Sequence, residues 1–160
     1  MHIEAKLQDL GLALPPAPHA PPGIAIPFAW ARMRGTRVYL SGHSAQGPDG
    51  AFGGPFGKVP TDVPLEAAQA AAQGAALSML GTLQRTLGDL DRVTAWLMVY
   101  GMVNAEPGYA QTTNAINGFS DLILELYGAE VGAHARLAVG MATLPLNNAV
   151  TIAAEVEIAE

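Results

Sequence analysis

The sequence predicts an α+β domain of two layers, in which two long helices cover one face of a mixed β-sheet. Residues 65–87 and 107–127 carry apolar side chains at helical spacing. The segments around them are shorter and either alternate or run continuously apolar, as β-strands do. The resulting order is a hairpin with a further short strand, then helix, strand, helix, strand and strand. This order is typical of helices packed on a single sheet.

The composition indicates one globular domain that associates with copies of itself. A chain of 160 residues can bury a sizeable core without disulfides. Half of the residues are apolar and only 14% are charged, which leaves a surface poor in charge for a monomer. A homo-oligomer would cover part of that surface. The alternative is that abundant alanine alone raises the apolar fraction.

Charge and residue usage exclude several classes of function. The net charge of −6 and the lack of a basic stripe argue against a nucleic-acid partner. Without cysteine there is no disulfide, thiolate zinc site or cysteine nucleophile. The four histidines are scattered without paired spacing, so we expect no metal. The N-terminus lacks a signal-peptide pattern and no long apolar run occurs, so we expect a cytoplasmic protein without a membrane partner.

The N-terminal 23 residues differ in character from the rest of the chain. Residues 2–11 have the spacing of a short helix, and five prolines crowd residues 15–23. Such a proline density predicts a semi-rigid extended arm rather than a helix or strand. We therefore expect a short helix and a Pro-rich arm over residues 1–23, and the main domain over residues 24–160. His19, within the arm, is interpreted as solvated.

The first half of the main domain predicts a hairpin and then a helix. Residues 24–31 and 37–41 are strand candidates around a turn at 34–36. The glycine-rich stretch 53–57 lacks the strand and helix that would flank a phosphate-binding loop. The helix over residues 65–87 follows Pro64 and ends at Gly88, and its alanine-rich stripe permits close packing.

The second half supplies the other helix and two more strands. Residues 93–103 are apolar at both parities, which predicts a strand buried on both faces and favours a subunit interface. The pair Asn117-Gly118 interrupts the helix over 107–127 and is interpreted as a kink or an added turn, because glycine within a helix costs about 1 kcal/mol. The last strand, 150–159, has a core face at its even positions: Val150, Ile152, Val156 and Ile158.

The strand over residues 134–145 is the candidate functional element. Its odd positions are apolar and are assigned to the core: Leu137, Val139 and Met141. Its even positions combine Arg136 with very small residues and are expected to face a partner. The chain has only eight lysines and arginines, so the guanidinium of Arg136 on such a face is the first candidate for a chemical role. His134 has the same parity and points the same way.

The chain contains, in order, the pieces Tyr39-Leu40-Ser41-Gly42-His43, Gly88-Asp89-Leu90-Asp91-Arg92-Val93, Ala135-Arg136, Leu144-Pro145 and the last strand. As an ordered set, these pieces resemble the RidA/YjgF family, also labelled endoribonuclease L-PSP. The resemblance covers residues 24–160. It implies a chorismate-mutase-like fold that assembles as a homotrimer, with sites in the clefts between subunits and no metal or organic cofactor.

The resemblance also implies an activity, the hydrolysis of reactive enamines and imines to 2-keto acids and ammonia. Arg136 falls on the arginine that binds the substrate carboxylate, and Gly42 on a glycine whose backbone faces the ligand. Phe28 stands where the family has a tyrosine. Thr151 stands where the deaminases have the glutamate that positions water. Asn117, or alternatively Asn114, corresponds to a pocket asparagine. The chain thus resembles a divergent subgroup that lacks the deaminase Glu and Tyr.

The candidate site has Arg136 as its catalytic group. The candidate substrate-binding residues are Phe28, Ser41, Gly42, His43, Asn117, His134 and Thr151. Three of these assignments have a structural alternative: Arg136 could pair with Glu155 or Glu157 of a neighbour, and the two histidines could be capping or solvated residues.

Three functions follow from this site. The first is binding of a small carboxylate of the 2-imino or 2-keto acid type, with slow imine hydrolysis. The second is a non-catalytic binding or sensor trimer. An endoribonuclease ranks last because the net charge opposes contact with a nucleic-acid backbone.

Overall fold

The computed structural model describes residues 1–160 and confirms the α+β prediction. The elements are α1 (His2–Asp9), β1 (Ala31–Arg34), β2 (Arg37–His43), α2 (Leu65–Leu87), β3 (Val93–Asn104), α3 (Thr112–Gly132), β4 (Ala135–Met141) and β5 (Val150–Ile158). The strands form one sheet in the order β1-β2-β5-β3-β4. Only the β3–β4 pair is parallel, so the sheet is mixed. No helix is long and apolar enough to span a bilayer.

Helices α2 and α3 lie together on one face of the sheet and approach each other closely. The inward side of α2 is built from alanines that are fully buried, including Ala68, Ala72 and Ala76. At Gly118 of α3, a Cβ would lie 2.0 Å from the carbonyl oxygen of Gln69 on α2. Gly118 is therefore required by the contact between the helices. The predicted kink there is wrong, and the helical backbone is interrupted later, at Gly128 (φ 74°, ψ 175°).

The bounds of several elements differ from the prediction, and the further short strand predicted after the hairpin is not formed. β1 spans Ala31–Arg34 rather than 24–31, and residues 24–30 are irregular. Pro27 lacks the N–H that a strand would use, which helps to keep this segment out of the sheet. α3 begins at Thr112 rather than 107, because Gly108 (φ 82°) forms a turn before it. β4 ends at Met141, before Leu144-Pro145.

The N-terminal segment is packed along the rest of the chain. Ile3 and Leu7 of α1 are buried in the core, and the Lys6 ammonium donates to the carbonyl of Leu126. The Pro-rich arm then runs beside α2, where Arg85 Nη1 donates to the carbonyl of Pro15 at 3.0 Å. α1 is thus packed against the main body of the chain, and the division at residue 23 stays a prediction.

The two faces of β4 are reversed relative to the prediction. Leu137, Val139 and Met141 are 50%, 40% and 40% exposed, whereas Ala138 packs against the core beneath α3. Thr112 Oγ1 on α3 donates to the carbonyl of Ala138 at 3.0 Å. The small residues of β4 are therefore spacers that let the helix lie close to the strand. The assignment of the odd positions to the core is wrong because size, not polarity, decides which face lies under the helix.

The part of the sheet face away from the helices that β3 and β4 form is uncovered and mostly apolar. We call it the open sheet face; it comprises Met98, Tyr100, Met102, Leu137, Val139 and Met141. The parallel register pairs Tyr100 with Leu137 and Met102 with Val139, so these side chains form adjacent rows. β3 is thus covered by a helix on one face only, and its second face is half-buried in the single chain.

Replacing Gly118 by alanine should destabilise the fold, although alanine is the better helix former. The added Cβ would collide with the backbone of α2, and overpacking of this kind typically costs about 1–3 kcal/mol. Urea unfolding of Gly118→Ala measures the loss. Glu125→Ala, on the exposed side of the same helix, is the matched control and should change stability little. A gain in stability for Gly118→Ala would contradict the close helix contact.

Candidate functional site

Arg136 lies on the edge strand β4 and is held by one side of α3. Its Nη1 donates to Asn117 Oδ1 at 2.9 Å and to Ser120 Oγ at 3.0 Å, and its Nη2 donates to the carbonyl of Thr113 at 3.4 Å. These three partners recur every three or four residues along the helix, so they share one helical side. The guanidinium is therefore oriented by three neutral oxygens.

No carboxylate of the chain neutralises this guanidinium. The ion pairs within 4.0 Å all involve the N-terminal amine of Met1. Partial burial lowers the pKa of Arg136, and the nearby charge of Asp121 opposes that shift. An arginine has five N–H donors, and the three bonds above leave the Nε–H and one Nη2 hydrogen without a partner. The side chain is therefore a cation with two N–H groups available to a ligand.

His134 belongs to the same cluster through Ser120. Its Nδ1 lies 2.7 Å from the carbonyl of Gly132, which can only accept, so Nδ1 carries a hydrogen. In the neutral ring, Nε2 then accepts from Ser120 Oγ at 2.8 Å. The same hydroxyl accepts from Arg136, so His134 and Ser120 hold the guanidinium from one side. The structure brings together Arg136, Asn117 and His134, and it adds Ser120.

A second group of candidate residues surrounds a cavity on the other side of the sheet. Phe28, Gly42 and Thr151 line a space of about 350 Å³ between the irregular segment 24–30 and the start of β5. Thr151 Oγ1 lies 2.9 Å from Ser44 Oγ, and either hydroxyl can be the donor. A Cβ at residue 42 would lie 2.9 Å from Thr151 Cγ2, so glycine is needed for this contact. None of the twelve lining residues carries an ionisable side chain.

Ser41 and His43 support the cavity from behind and do not line it. Ser41 Oγ donates to the carbonyl of Ala29 at 2.7 Å, which fastens the segment 24–30 to β2. His43 is only 1% exposed, and its Nε2 lies 2.9 Å from Thr82 Oγ1 on α2. The ring of Trp30 packs on His43 with 5.3 Å between ring centroids. His43 is therefore placed as a core residue beneath the cavity wall.

The two groups do not meet within one chain. Arg136 is on β4, Thr151 is on β5, and β3 lies between these strands. Arg136 also faces α3, whereas Thr151 pairs with Met102 on the face away from the helices. Any ligand that touches both groups must therefore lie between two copies of the chain.

Two residues of these clusters escaped the sequence analysis. Ser120 follows Asn117 by three residues, so helical periodicity alone could have placed it beside the same guanidinium. Ser44 had no comparable signal, because its contact with Thr151 depends on how β2 ends against β5.

Comparison with known proteins supports a family assignment. No family model matches the chain. Protein TCP17 of Trypanosoma cruzi is 38% identical over 157 residues, which cover 98% of this chain and 94% of TCP17. The crystal structure of Atu1372, a protein of unknown function from Agrobacterium tumefaciens, is 34% identical with a TM-score of 0.85. It covers 98% of this chain and 92% of its own.

More distant structures share the fold. A candidate endoribonuclease from Shewanella oneidensis is 26% identical with a TM-score of 0.86, covering 99% of this chain and 100% of that one. RidA from a Psychrobacter species is 18% identical with a TM-score of 0.57, covering 89% and 94%. A five-stranded mixed sheet with two helices on one face defines a small two-layer α+β class. Within that class, the chain belongs to the RidA/YjgF family, as the sequence motifs predicted.

Replacing His43 should flatten the dependence of stability on pH. Burial lowers its pKa to about 4. An unfolded histidine titrates near pH 6.5, so between about pH 6.5 and 4 the unfolded state binds more protons, and stability falls as pH falls. The slope approaches about 1.4 kcal/mol per pH unit, or roughly 3 kcal/mol over the window. His43→Gln should lose this slope in urea unfolding between pH 7 and 4.5.

The exposed His19 provides the control for this measurement. His19→Gln should keep the slope of the wild-type protein. An unchanged slope in His43→Gln would contradict the assignment of His43 as a buried neutral residue.

Proposed function

We propose that the protein binds the carboxylate of a small 2-imino or 2-keto acid through Arg136, in a cleft completed by a second copy of the chain. The observation that carries this proposal is the guanidinium held by Asn117, Ser120 and Thr113 without a negative partner. A planar guanidinium pairs with a carboxylate through two parallel hydrogen bonds. A bound carboxylate would supply the negative charge that the chain does not.

Self-association would bring the two halves of the site together. The open sheet face is apolar and uncovered, and contiguous apolar surface of this kind marks interaction sites. Closed symmetric assembly of identical chains is the usual way to cover such a face. We propose a homotrimer, the arrangement of the family, in which Arg136 of one copy lies near Thr151 and Gly42 of the next. No cofactor or metal is part of this proposal.

The cavity suits slow hydrolysis of an imine. The hydroxyls of Ser44 and Thr151 can hold a water by hydrogen bonds, and that water would add to the imine carbon. Ammonia would then leave, and the 2-keto acid would remain. A group that titrates near the working pH normally accelerates such steps as a general base. Because the cavity has no ionisable side chain, we infer that the reaction depends on the intrinsic reactivity of the imine.

The lack of an acid or base in the cavity equally favours a second candidate, a binding or sensor module without turnover. The third candidate is ribonuclease activity, since the similar Shewanella protein is a candidate endoribonuclease. The net charge of −6 opposes contact with RNA. Intact RNA after incubation with purified protein would reject it.

Arg136→Gln should weaken binding strongly and slow any acceleration of hydrolysis to match. The assay generates 2-aminoacrylate in situ and follows pyruvate release, and 2-ketobutyrate binding is measured by calorimetry. Loss of a charge-assisted hydrogen-bonded pair costs about 1.5–3 kcal/mol, or roughly 10- to 150-fold in affinity. Arg136→Lys should recover only part of the affinity, because an ammonium lacks the planar fork.

Ser120→Ala separates positioning from charge in the same experiment. It keeps the cation and removes one of its supports, so affinity should fall severalfold, less than in Arg136→Gln. Binding that depends on Arg136, with pyruvate released no faster than in buffer alone, would favour the sensor module. Acids that bind equally well to wild type and Arg136→Gln would overturn the proposal, and an Arg136 paired with a neighbour's glutamate would give that result.

A charge on the open sheet face should dissociate the assembly. Val139→Glu places a carboxylate among apolar rows, where burial against another copy would leave it unpaired. Sedimentation should detect a shift from oligomer to monomer. Leu124→Glu is the matched control, since Leu124 is 39% exposed on α3 and Val139 is 40% exposed. Equal sedimentation of the two variants would place the interface elsewhere.

A further inference from the structure

The turn before β5 contains an unusual backbone conformation. Leu146 (φ 57°) and Asn147 (φ 59°) are the non-glycine residues of the chain with positive φ. The left-handed region is unfavourable for side chains with a Cβ, and asparagine tolerates it far better than leucine. Residues held in such conformations cluster at functional sites. Leucine at position 146 is unfavourable for this backbone conformation, so its presence requires a separate explanation.

Neighbouring hydrogen bonds hold this turn in place. Asn104 Nδ2 donates to Asn147 Oδ1 at 3.2 Å, and the amide of Gly57 donates to the carbonyl of Asn147 at 2.8 Å. Neither bond uses the side chain of Leu146, which is 38% exposed. Glycine or asparagine at position 146 could form the same turn with less strain. The leucine side chain is thus not explained by the turn itself.

The side chain of Leu146 lies where two cavities adjoin. It lines the cavity of about 350 Å³ that contains Thr151, and it also lines a second cavity of about 460 Å³ beside the Pro-rich arm. Phe52 is shared by both, and Phe56 lies in the second. Across the two cavities, the polar end is the Ser44–Thr151 pair and the apolar end is formed by Leu146 and Phe56, with the exposed His19 also lining the second cavity.

We propose that this apolar end selects the side chain of the ligand, and that Leu146 is a specificity-determining residue. The preferred ligands are 2-imino or 2-keto acids with a branched aliphatic or aromatic side chain. This inference rests on the proposed function, because the carboxylate is taken to bind Arg136 of a neighbouring copy. Apolar burial is worth about fourfold in affinity per methylene. Leu146 and Phe56 offer no polar partner to a charged ligand side chain.

Calorimetry with a series of 2-keto acids tests the inference on the assembled protein. We expect 4-methyl-2-oxopentanoate and phenylpyruvate to bind at least about tenfold more tightly than pyruvate, and 2-oxoglutarate to bind no more tightly than pyruvate. Leu146→Asn should remove this preference, because it should lower the affinity for the two apolar acids by much more than the affinity for pyruvate. Because asparagine suits the left-handed backbone, the urea midpoint of the variant should be equal to or higher than that of wild type. Leu146→Gly should behave in the same way.

The other outcomes separate the two proposals. Equal affinity for all the acids, lost in Arg136→Gln, would overturn the specificity and leave the proposed function standing. No binding of any acid would overturn the proposed function itself. A preference for apolar acids that survives in Leu146→Asn, or a lower urea midpoint of that variant, would overturn the role of Leu146 and assign it to the packing of the turn.

Discussion

The close approach of the two long helices to each other and to the sheet determines the rest of the structure. It depends on positions without a side chain. A Cβ at Gly118 would overlap the backbone of α2, and one at Gly101 on β3 would lie 2.7 Å from Ile116 of α3. Packing at interior density leaves no room for larger residues there. The larger apolar residues of the edge strand β4 accordingly lie on the face away from the helices. Arg136 lies on the other face, in contact with α3.

Most of the fold could be predicted from the sequence, because helices and strands have different apolar periods. The helix over Leu65–Leu87, the α+β class and the core face of β5 are confirmed. The faces of β4 could not be predicted correctly, because apart from Arg136 both are nonpolar and they differ mainly in side-chain size. The kink predicted at Gly118 is wrong for a related reason. A glycine required by a neighbouring helix and a glycine that bends its own helix have the same sequence signature.

Individual residues of the candidate site could be predicted from the sequence, but the contacts between them could not. Spacing from the family motifs located Arg136, Gly42 and Thr151, and the structure gives each a defined environment. It could not reveal that Ser120 orients the guanidinium, that His43 lies in the core, or that Leu146 adopts a left-handed conformation. These features arise from contacts between distant segments, which local periodicity does not encode.

The position of β3 between Arg136 and Thr151 has a consequence for how the proposed site would behave in solution. A cleft built from two chains forms only as often as the chains meet, so apparent ligand affinity would follow protein concentration by mass action. The two parts of the site would also come from different chains. A chain defective at Arg136 and a chain defective around Thr151 could, in a mixed assembly, together provide one intact cleft.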